Sequence, residues 1–289
     1  MMELVPRTEP ASGYRGAQVA LLTQHGKERV LAPIFREALG ARIELVSGDD
    51  TDRFGTFTRE VPRLGNQLEA ARAKAARAIE LSGLELAVAS EGSFSAGPLG
   101  LGSWNLELVV FVDTARKLEI IGRSYHPGKH TQASVQNLDE LHSAARSAGF
   151  PEHALVLRPN DEHDPRCRKG IRSWRDLDRE YLAVRRESAN GSVFVENDLR
   201  AHVHPTRMSH IADAAQDLVR RMRSLCPACG APGFGVVRML DGLPCEDCGS
   251  PTSQSRGEEL GCVACAHRQA VLRSDRRTAT AYYCGACNP

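Results

Sequence analysis

The last quarter of the chain reads Cys226-Pro-Ala-Cys229-Gly and then Cys245-Glu-Asp-Cys248-Gly. Two further pairs have the same Cys-x-x-Cys spacing, Cys262/Cys265 and Cys284/Cys287. Two thiolates separated by two residues can bind one metal ion, and a second pair completes a tetrahedral Cys₄ site. In both quoted segments glycine follows the second cysteine, where the turn favours a positive φ angle. The pattern therefore predicts two structural zinc ions.

The spacing between the pairs indicates how they combine. Fifteen residues separate Cys229 from Cys245, and eighteen separate Cys265 from Cys284. Because either gap suits a short hairpin, we expect the first pair to join the second and the third to join the fourth. A cross-braced arrangement is the alternative. A disulfide framework is a further interpretation, and it would need an oxidising compartment.

The bulk composition sets limits on location and partners. The chain has 289 residues, of which 42% are hydrophobic, enough for one large domain and a small one. Residues 1–16 contain no apolar run typical of a signal peptide, and no later run approaches the eighteen residues of a membrane helix. We therefore expect a cytoplasmic protein without a membrane segment, in which the thiols stay reduced. A net charge of +1 gives no general argument for nucleic-acid binding.

Apolar strands alternate with amphipathic helices before the cysteine region. Residues 17–23 form an apolar run of strand length, and a helical pattern follows that stops at Gly40. Further strands and helices continue to a last helix at about 206–223. This alternation is typical of an α/β fold. It predicts a mixed or mostly parallel three-layer sheet domain in residues 1–223, followed by a small zinc-ribbon domain in residues 224–289.

Three polar segments follow strands, where α/β folds bind ligands. Thr23-Gln24-His25-Gly26-Lys27 offers backbone N–H groups and a lysine for an anion. Glu91 ends a later strand and precedes glycine, a position suited to Mg²⁺. Arg207 lies in the first turn of the last helix, where it needs an anionic partner, either a phosphate or a neighbouring carboxylate. An ordinary strand–helix turn and a solvated glutamate are the alternatives for the first two segments.

The helix predicted at 67–81 carries two more cations. On a helical wheel Arg72 falls inside the apolar sector of Leu68, Ala75 and Ile79, and Lys74 lies at its far edge. Cations that border a buried face need paired anions, which makes both residues candidates for phosphate binding. Aliphatic stems that reach out to solvent are the alternative explanation.

The order of these segments resembles the inosine/xanthosine triphosphate pyrophosphatases, which hydrolyse non-standard purine nucleoside triphosphates to the monophosphate and pyrophosphate. The matching segments are a strand and lysine turn at 22–27, Thr56-Phe57-Thr58-Arg59-Glu60, the lysine helix at 71–75, Ala89-Ser90-Glu91-Gly92-Ser93 and His204-Pro205-Thr206-Arg207. The similarity covers residues 17–113 and 202–222. The chain also resembles a bacterial family of unknown function with the same His-Gly-Lys-Glu and Ser-Glu-Gly-Ser-Phe motifs.

The resemblance implies an Mg²⁺-dependent hydrolase of phosphorylated nucleotides. In it Glu91, helped by Glu60 or Asp52, holds the metal at the phosphates, while Lys27, Lys74 and Arg207 bind phosphate oxygens. The rival hypothesis is a non-catalytic sensor or adaptor that binds a nucleotide and presents its zinc region to a partner. Ser90 stands where the pyrophosphatases have a second acidic residue, which favours the rival.

The charge of residues 224–289 bears on the partner of the zinc region. Arginine and acidic residues balance at six each, and four thiolates add about −2 to each Zn²⁺ site. Aromatic residues for base stacking are few, chiefly Phe234, Tyr282 and Tyr283. We therefore expect a structural or protein-contact role, and nucleic acid is the less favoured partner. A homodimer is compatible with the sequence.

Overall fold

The structure is a computed structural model that describes residues 12–51, 55, 61, 65–97 and 100–289. Its contacts divide the chain into two compact units. The first unit comprises residues 13–115 and 121–219, and residues 220–289 belong to the second unit together with 116–120. Among the described helices, none combines the length and the apolar content needed to cross a bilayer.

The first sheet has five strands in the order β2-β1-β3-β4-β5. Strand β1 pairs in parallel with β2 and β3, and β3 pairs antiparallel with β4. The elements in chain order are β1 (Gln18–Leu22), α1 (Glu28–Leu39), β2 (Arg42–Val46), α2 (Gln67–Ser82), β3 (Leu86–Ala96), β4 (Ser103–Asp113) and β5 (Leu118–Pro127). The predicted mixed sheet is therefore confirmed.

Local sequence explains where the first two helices begin and end. Helix α1 ends at Gly40 and helix α2 at Gly83, with φ angles of 66° and 69° that favour glycine. Helix α2 begins with a capping box, in which the Asn66 side chain accepts the Glu69 N–H and the Glu69 carboxylate accepts the Asn66 N–H. The predicted stop at Gly40 is confirmed.

The second sheet has four strands in the order β6-β9-β7-β8, all paired antiparallel. Its elements are β6 (Gln132–Val135), α3 (Leu138–Ser147), β7 (Leu155–Pro159), β8 (Arg168–Ile171), α4 (Trp174–Glu187) and β9 (Val193–Asn197). Leu141 of α3 and both Leu177 and Tyr181 of α4 are buried in the core of this sheet. Helix α5 (Pro205–Arg223) follows and begins one residue before the predicted start.

The expectation of one mostly parallel, three-layer sheet is not met. Residues 114–117 are too short to form the crossover that a parallel pair of strands requires, so β5 must return as a hairpin beside β4. The later strands form the separate antiparallel sheet. The strands of the first unit thus lie in two sheets, of which one contains parallel pairs.

The second unit contains a three-stranded antiparallel sheet in the order β10-β11-β12. Its strands are β10 (Gly235–Asp241), β11 (Ser255–Gly261) and β12 (Arg268–Leu272). Phe234, Cys226 and Cys262 form its small buried cluster, against which Leu260 packs. A cluster of three buried side chains contributes little hydrophobic stabilisation by itself.

Candidate functional site

The eight paired cysteines of the second unit lie in two sets of four, whose sulfur atoms are within 4.8 Å of one another in each set. Site A consists of Cys226, Cys229, Cys262 and Cys265, and site B of Cys245, Cys248, Cys284 and Cys287. The Sγ–Sγ distances are 3.8 Å for Cys226–Cys265, 3.6 Å for Cys229–Cys262, 4.0 Å for Cys245–Cys287 and 3.6 Å for Cys248–Cys284. Tetrahedral zinc with Zn–S bonds of about 2.3 Å separates its sulfurs by about 3.8 Å. Each set could therefore hold a metal ion such as zinc.

The predicted sequential pairing is wrong, because the first pair combines with the third and the second with the fourth. The strands explain this cross-braced arrangement. Strand β10 carries the chain from the first cysteine pair to the second, and β11 returns it, with Gly235 opposite Gly261. Cys262 therefore follows β11 at the end of the sheet where β10 begins. Strand β12 then leads back, and Ala279 bridges to Cys245 in site B.

The turns of the first two cysteine pairs share one backbone geometry. The Gly230 N–H donates to the Cys226 carbonyl at 2.9 Å, and the Gly249 N–H donates to the Cys245 carbonyl at 3.0 Å. The two glycines have φ angles of 71° and 73°. The prediction of a left-handed glycine after the second cysteine is therefore confirmed at both turns.

The crowded sulfurs of site B show why a cation fits there. Hydrogen bonds from the Ser250 hydroxyl and backbone N–H lower the pKa of Cys248 to about 6. The pKa of Cys287 is raised to about 12, first by its hydrogen bond with Cys248 and then by burial. Without metal, one sulfur thus favours the thiolate while its neighbour keeps its proton. A divalent cation would release that proton and stabilise four thiolates together.

In the first unit, the turn between β1 and α1 brings together four predicted residues, Thr23, His25, Gly26 and Lys27. Gly26 has a φ angle of 67°, and α1 begins directly after Lys27. The backbone N–H groups of Gly26, Lys27 and Glu28 have no acceptor among the residues that the structure describes. N–H groups at the start of a helix attract anions. The turn therefore retains the donors of an anion site.

Lys27 is buried and lacks a carboxylate partner within the described ranges. The residue is 8% exposed, and its ammonium group donates to the Ser90 carbonyl at 2.6 Å. Burial lowers the pKa of Lys27 to about 8, although Glu91 acts in the opposite direction. The hydroxyl of Ser90 is also buried, and it has no hydrogen-bond partner in the described part of the chain. A buried ammonium without a bound anion is unfavourable.

Two ion pairs surround Lys27. Lys74 pairs with Glu91, and Arg207 pairs with Glu107; all four residues act electrostatically on Lys27. We call these residues with Lys27 the charged cluster. It contains three cations and two carboxylates, so its net charge is positive when Lys27 is protonated.

The two predicted cations of α2 do not lie where the sequence placed them. Lys74 is half-buried and paired with Glu91, which is 5% exposed, whereas Arg72 is exposed. The helical wheel placed these two cations incorrectly. The buried residues of α2 are Ala70, Ala71, Ala75 and Ala78, so the apolar stripe follows alanines and not the larger Leu68. Lys74 lies one turn before Ala78 on this stripe and reaches Glu91 within β3.

Arg207 binds a carboxylate of its own chain, one of the two partners that the sequence left open. Its Nε and Nη2 atoms donate to the two Glu107 oxygens at 2.7 and 3.2 Å. Side-chain exposure is 2% for Arg207 and 0% for Glu107. A Cβ atom on Gly92 would lie 2.4 Å from both Arg207 Nη2 and Glu107 Oε1, which is too close. Only glycine at this position of β3 therefore leaves room for the ion pair.

The buried polar side chains of β4 were not found by sequence reasoning. Asn105 and Glu107 are fully buried, and the Asn105 amide donates to Glu107 at 3.0 Å. His210 of α5 hydrogen-bonds to the Asn105 oxygen at 2.8 Å. Polar residues at alternate positions of an otherwise apolar strand were the available signal, since residues i and i+2 share a face.

His25 contributes a neutral ring to the turn. Burial, followed by repulsion from Lys27, lowers the pKa of His25 to about 3. Its ring stacks on His202, with centroids 5.1 Å apart and an interplanar angle of 3°. Thr23 accepts the His25 N–H at 3.3 Å and so helps to shape the turn. His25 therefore adds hydrogen-bonding capacity near Lys27 without adding positive charge.

The predicted magnesium site has no support in the described residues. Asp52 and Glu60 lie outside them. Within the described ranges, sites A and B are the groups of three or more His, Cys, Asp or Glu side chains close enough to share one ion. The prediction that Glu91 ends its strand is wrong, because β3 continues to Ala96 through pairing with β4, and the Glu91 carboxylate is paired with Lys74.

The fold and these sites define a mixed α/β protein with a C-terminal unit that could hold two metal ions. The chain belongs to the family described as Domain of unknown function (DUF6671), whose model matches residues 74–289, about three quarters of the chain. No curated protein and no solved structure matches the chain.

Proposed function

We propose that the first unit binds a phosphorylated small molecule, a nucleotide or a close relative, with its phosphate at Lys27. The observation that carries this proposal is the buried ammonium of Lys27, whose acceptor among the described residues is a carbonyl and not a carboxylate. A bound phosphate would replace the lost hydration of the ammonium with charge-assisted hydrogen bonds.

The surroundings of Lys27 favour a phosphate over a simple carboxylate ligand. Three backbone N–H groups at the start of α1 and the buried Ser90 hydroxyl offer several donors to one anion. A phosphate has three terminal oxygens that can accept them, whereas a carboxylate has two. The neutral His25 adds a further donor or acceptor beside these groups.

The test is binding by the full chain, measured by thermal stabilisation and calorimetry. Phosphate, pyrophosphate and a panel of nucleoside mono-, di- and triphosphates are compared with the unphosphorylated nucleosides, with and without Mg²⁺. Lys27→Met keeps the aliphatic stem and should weaken binding roughly 10- to 150-fold, the range for a charged hydrogen bond. Lys117→Met removes an exposed lysine and serves as the control. Equal binding by wild type and Lys27→Met would disprove the proposal.

A second candidate is Mg²⁺-dependent hydrolysis of the bound nucleotide, with release of pyrophosphate. It is favoured by Glu91, which lies in the charged cluster beside Lys27. The metal would then need further ligands, for which Asp52 and Glu60 remain the predictions. In an assay with ITP and XTP, turnover that requires Mg²⁺ and falls by orders of magnitude in Glu91→Gln supports hydrolysis. Binding without turnover supports the sensor or adaptor hypothesis.

For the second unit we propose two structural zinc ions and a protein-contact role. The cysteine donor sets and sulfur spacings of sites A and B support this assignment. Zinc at such sites supplies folding free energy directly. Elemental analysis should find two zinc ions per chain, and one ion or none would disprove the assignment. Reduced thiols of this kind favour the cytoplasm as the location.

A further inference from the structure

Strand β11 carries two consecutive glutamates, Glu258 and Glu259, that face opposite sides of the three-stranded sheet because side chains alternate along a strand. On one face, Glu259 lies opposite Arg238, which donates to its two oxygens at 2.9 and 3.1 Å. On the other face, Glu258 lies between Met239 of β10 and Val271 of β12. Glu259 is thus paired, and its neighbour has an apolar residue on each side.

Glu258 makes no ion pair and no hydrogen bond through its side chain with any residue that the structure describes. Arg273 lies along the same surface, and this arginine is already engaged. It donates to both Asp275 oxygens, at 2.7 and 2.5 Å, and to the Ser255 carbonyl at 3.1 Å. The half-buried carboxylate of Glu258 is therefore not neutralised by any described residue of its own unit.

A groove of about 260 Å³ opens at this carboxylate. Its apolar wall consists of Met239, Val271 and Leu272, which are 52%, 43% and 64% exposed. Exposed aliphatic side chains around a single unpaired charge are unusual on a solvent-facing sheet, where apolar groups gain free energy when covered.

We propose that this groove, the Glu258 groove, binds a lysine or arginine side chain from a partner protein. The aliphatic stem of such a side chain would cover the apolar wall while its charged end reaches Glu258. A purely apolar partner would remove water from the carboxylate without replacing it, and an acidic partner would be repelled. This inference rests on the protein-contact role proposed for the second unit, and it specifies the chemistry of that partner.

The experiment uses the full chain carrying ¹³C-methyl methionine, in which Met239 is one of five signals and is assigned with Met239→Leu. The probe is the peptide acetyl-Val-Lys-Val-amide, and the matched peptide replaces lysine by the uncharged norleucine. We expect the lysine peptide to shift the Met239 signal and to bind roughly three- to tenfold more tightly than the norleucine peptide, the range for a half-buried charge pair.

The adjacent glutamates provide matched variants. Glu258→Gln should remove the preference for the lysine peptide, whereas Glu259→Gln should leave it unchanged. Unchanged signals from Met208 and Met222 of α5 confirm that either variant is folded. Equal binding of the two peptides, equal effects of the two variants, or no shift of Met239 at millimolar peptide would each overturn the proposal. A Met239 shift that depends on protein concentration alone would show that a second copy covers the groove, and would also overturn it.

Discussion

The cysteine sites and the charged cluster both contain groups that a bound ion or ligand would stabilise. They differ in how many of these groups the chain has already paired with one another. In sites A and B the chain supplies four cysteine sulfurs per site, and each site could hold one cation. In the charged cluster the chain pairs four of the five charges with one another and leaves the Lys27 ammonium on a carbonyl. Under the proposed functions, the first arrangement would make folding depend on the metal, whereas the second would keep the fold and reserve one charge for a ligand.

The largest effects should come from breaking the cysteine sites. Because the sites are cross-braced, the double variant Cys229→Ser/Cys262→Ser should lose one zinc ion, since both residues belong to site A. Cys229→Ser/Cys248→Ser should lose both ions and unfold the second unit, because structural zinc supplies its folding free energy. Elemental analysis and circular dichroism measure the two outcomes. Sequential pairing would give the opposite result in the two double variants.

The next largest effect concerns Arg207. Arg207→Met leaves Glu107 buried and unpaired, which should destabilise the first unit by about 3–5 kcal/mol. Chemical denaturation of the protein without ligand measures the change. Arg207→Met/Glu107→Leu removes both charges and should recover part of the loss. A destabilisation below about 1 kcal/mol would show that Arg207 is available to bind a ligand directly.

A smaller effect, of opposite sign, is expected at Lys27. Its pKa is about 8 in the folded protein and 10.5 when unfolded, so the unfolded chain binds more protons between these values. Stability should therefore rise as pH increases from about 8 to about 10.5, by at most roughly 3 kcal/mol, and this rise should be absent in Lys27→Met. Denaturation curves of both proteins across this range test the sign. An equal rise in stability with pH in the wild type and in Lys27→Met would contradict the lowered pKa of Lys27.

The part of this fold that could be predicted consists of features encoded by neighbouring residues. The glycines after Cys229 and Cys248, the end of α1 at Gly40 and the start of α5 at Pro205 all follow from local backbone preferences. The cysteine spacing likewise indicated metal sites. Each of these signals lies within a few residues of the structure that it determines.

The pairing of distant elements could not be predicted in the same way. Cross-bracing depends on which residues of β10 and β11 lie opposite one another. Only thirteen residues separate Cys248 from Cys262, which is too few for a separate domain between the second and third cysteine pairs. Glu107 lies one hundred positions before Arg207, and nothing near either residue indicates the other. Lys74 was misplaced because α2 buries alanines, which contribute little to an apolar pattern.

The most direct measurement is the titration of Lys27 by NMR in protein labelled at lysine ¹³Cε, with and without pyrophosphate. The chain has only five lysines, so Lys27→Met assigns the signal. The account predicts a pKa of about 8 without ligand, a clear increase when the anion binds, and no comparable change at Lys117. A pKa near the ordinary 10.5 that no phosphate changes would contradict it, because Lys27 would then be neither desolvated nor part of an anion site.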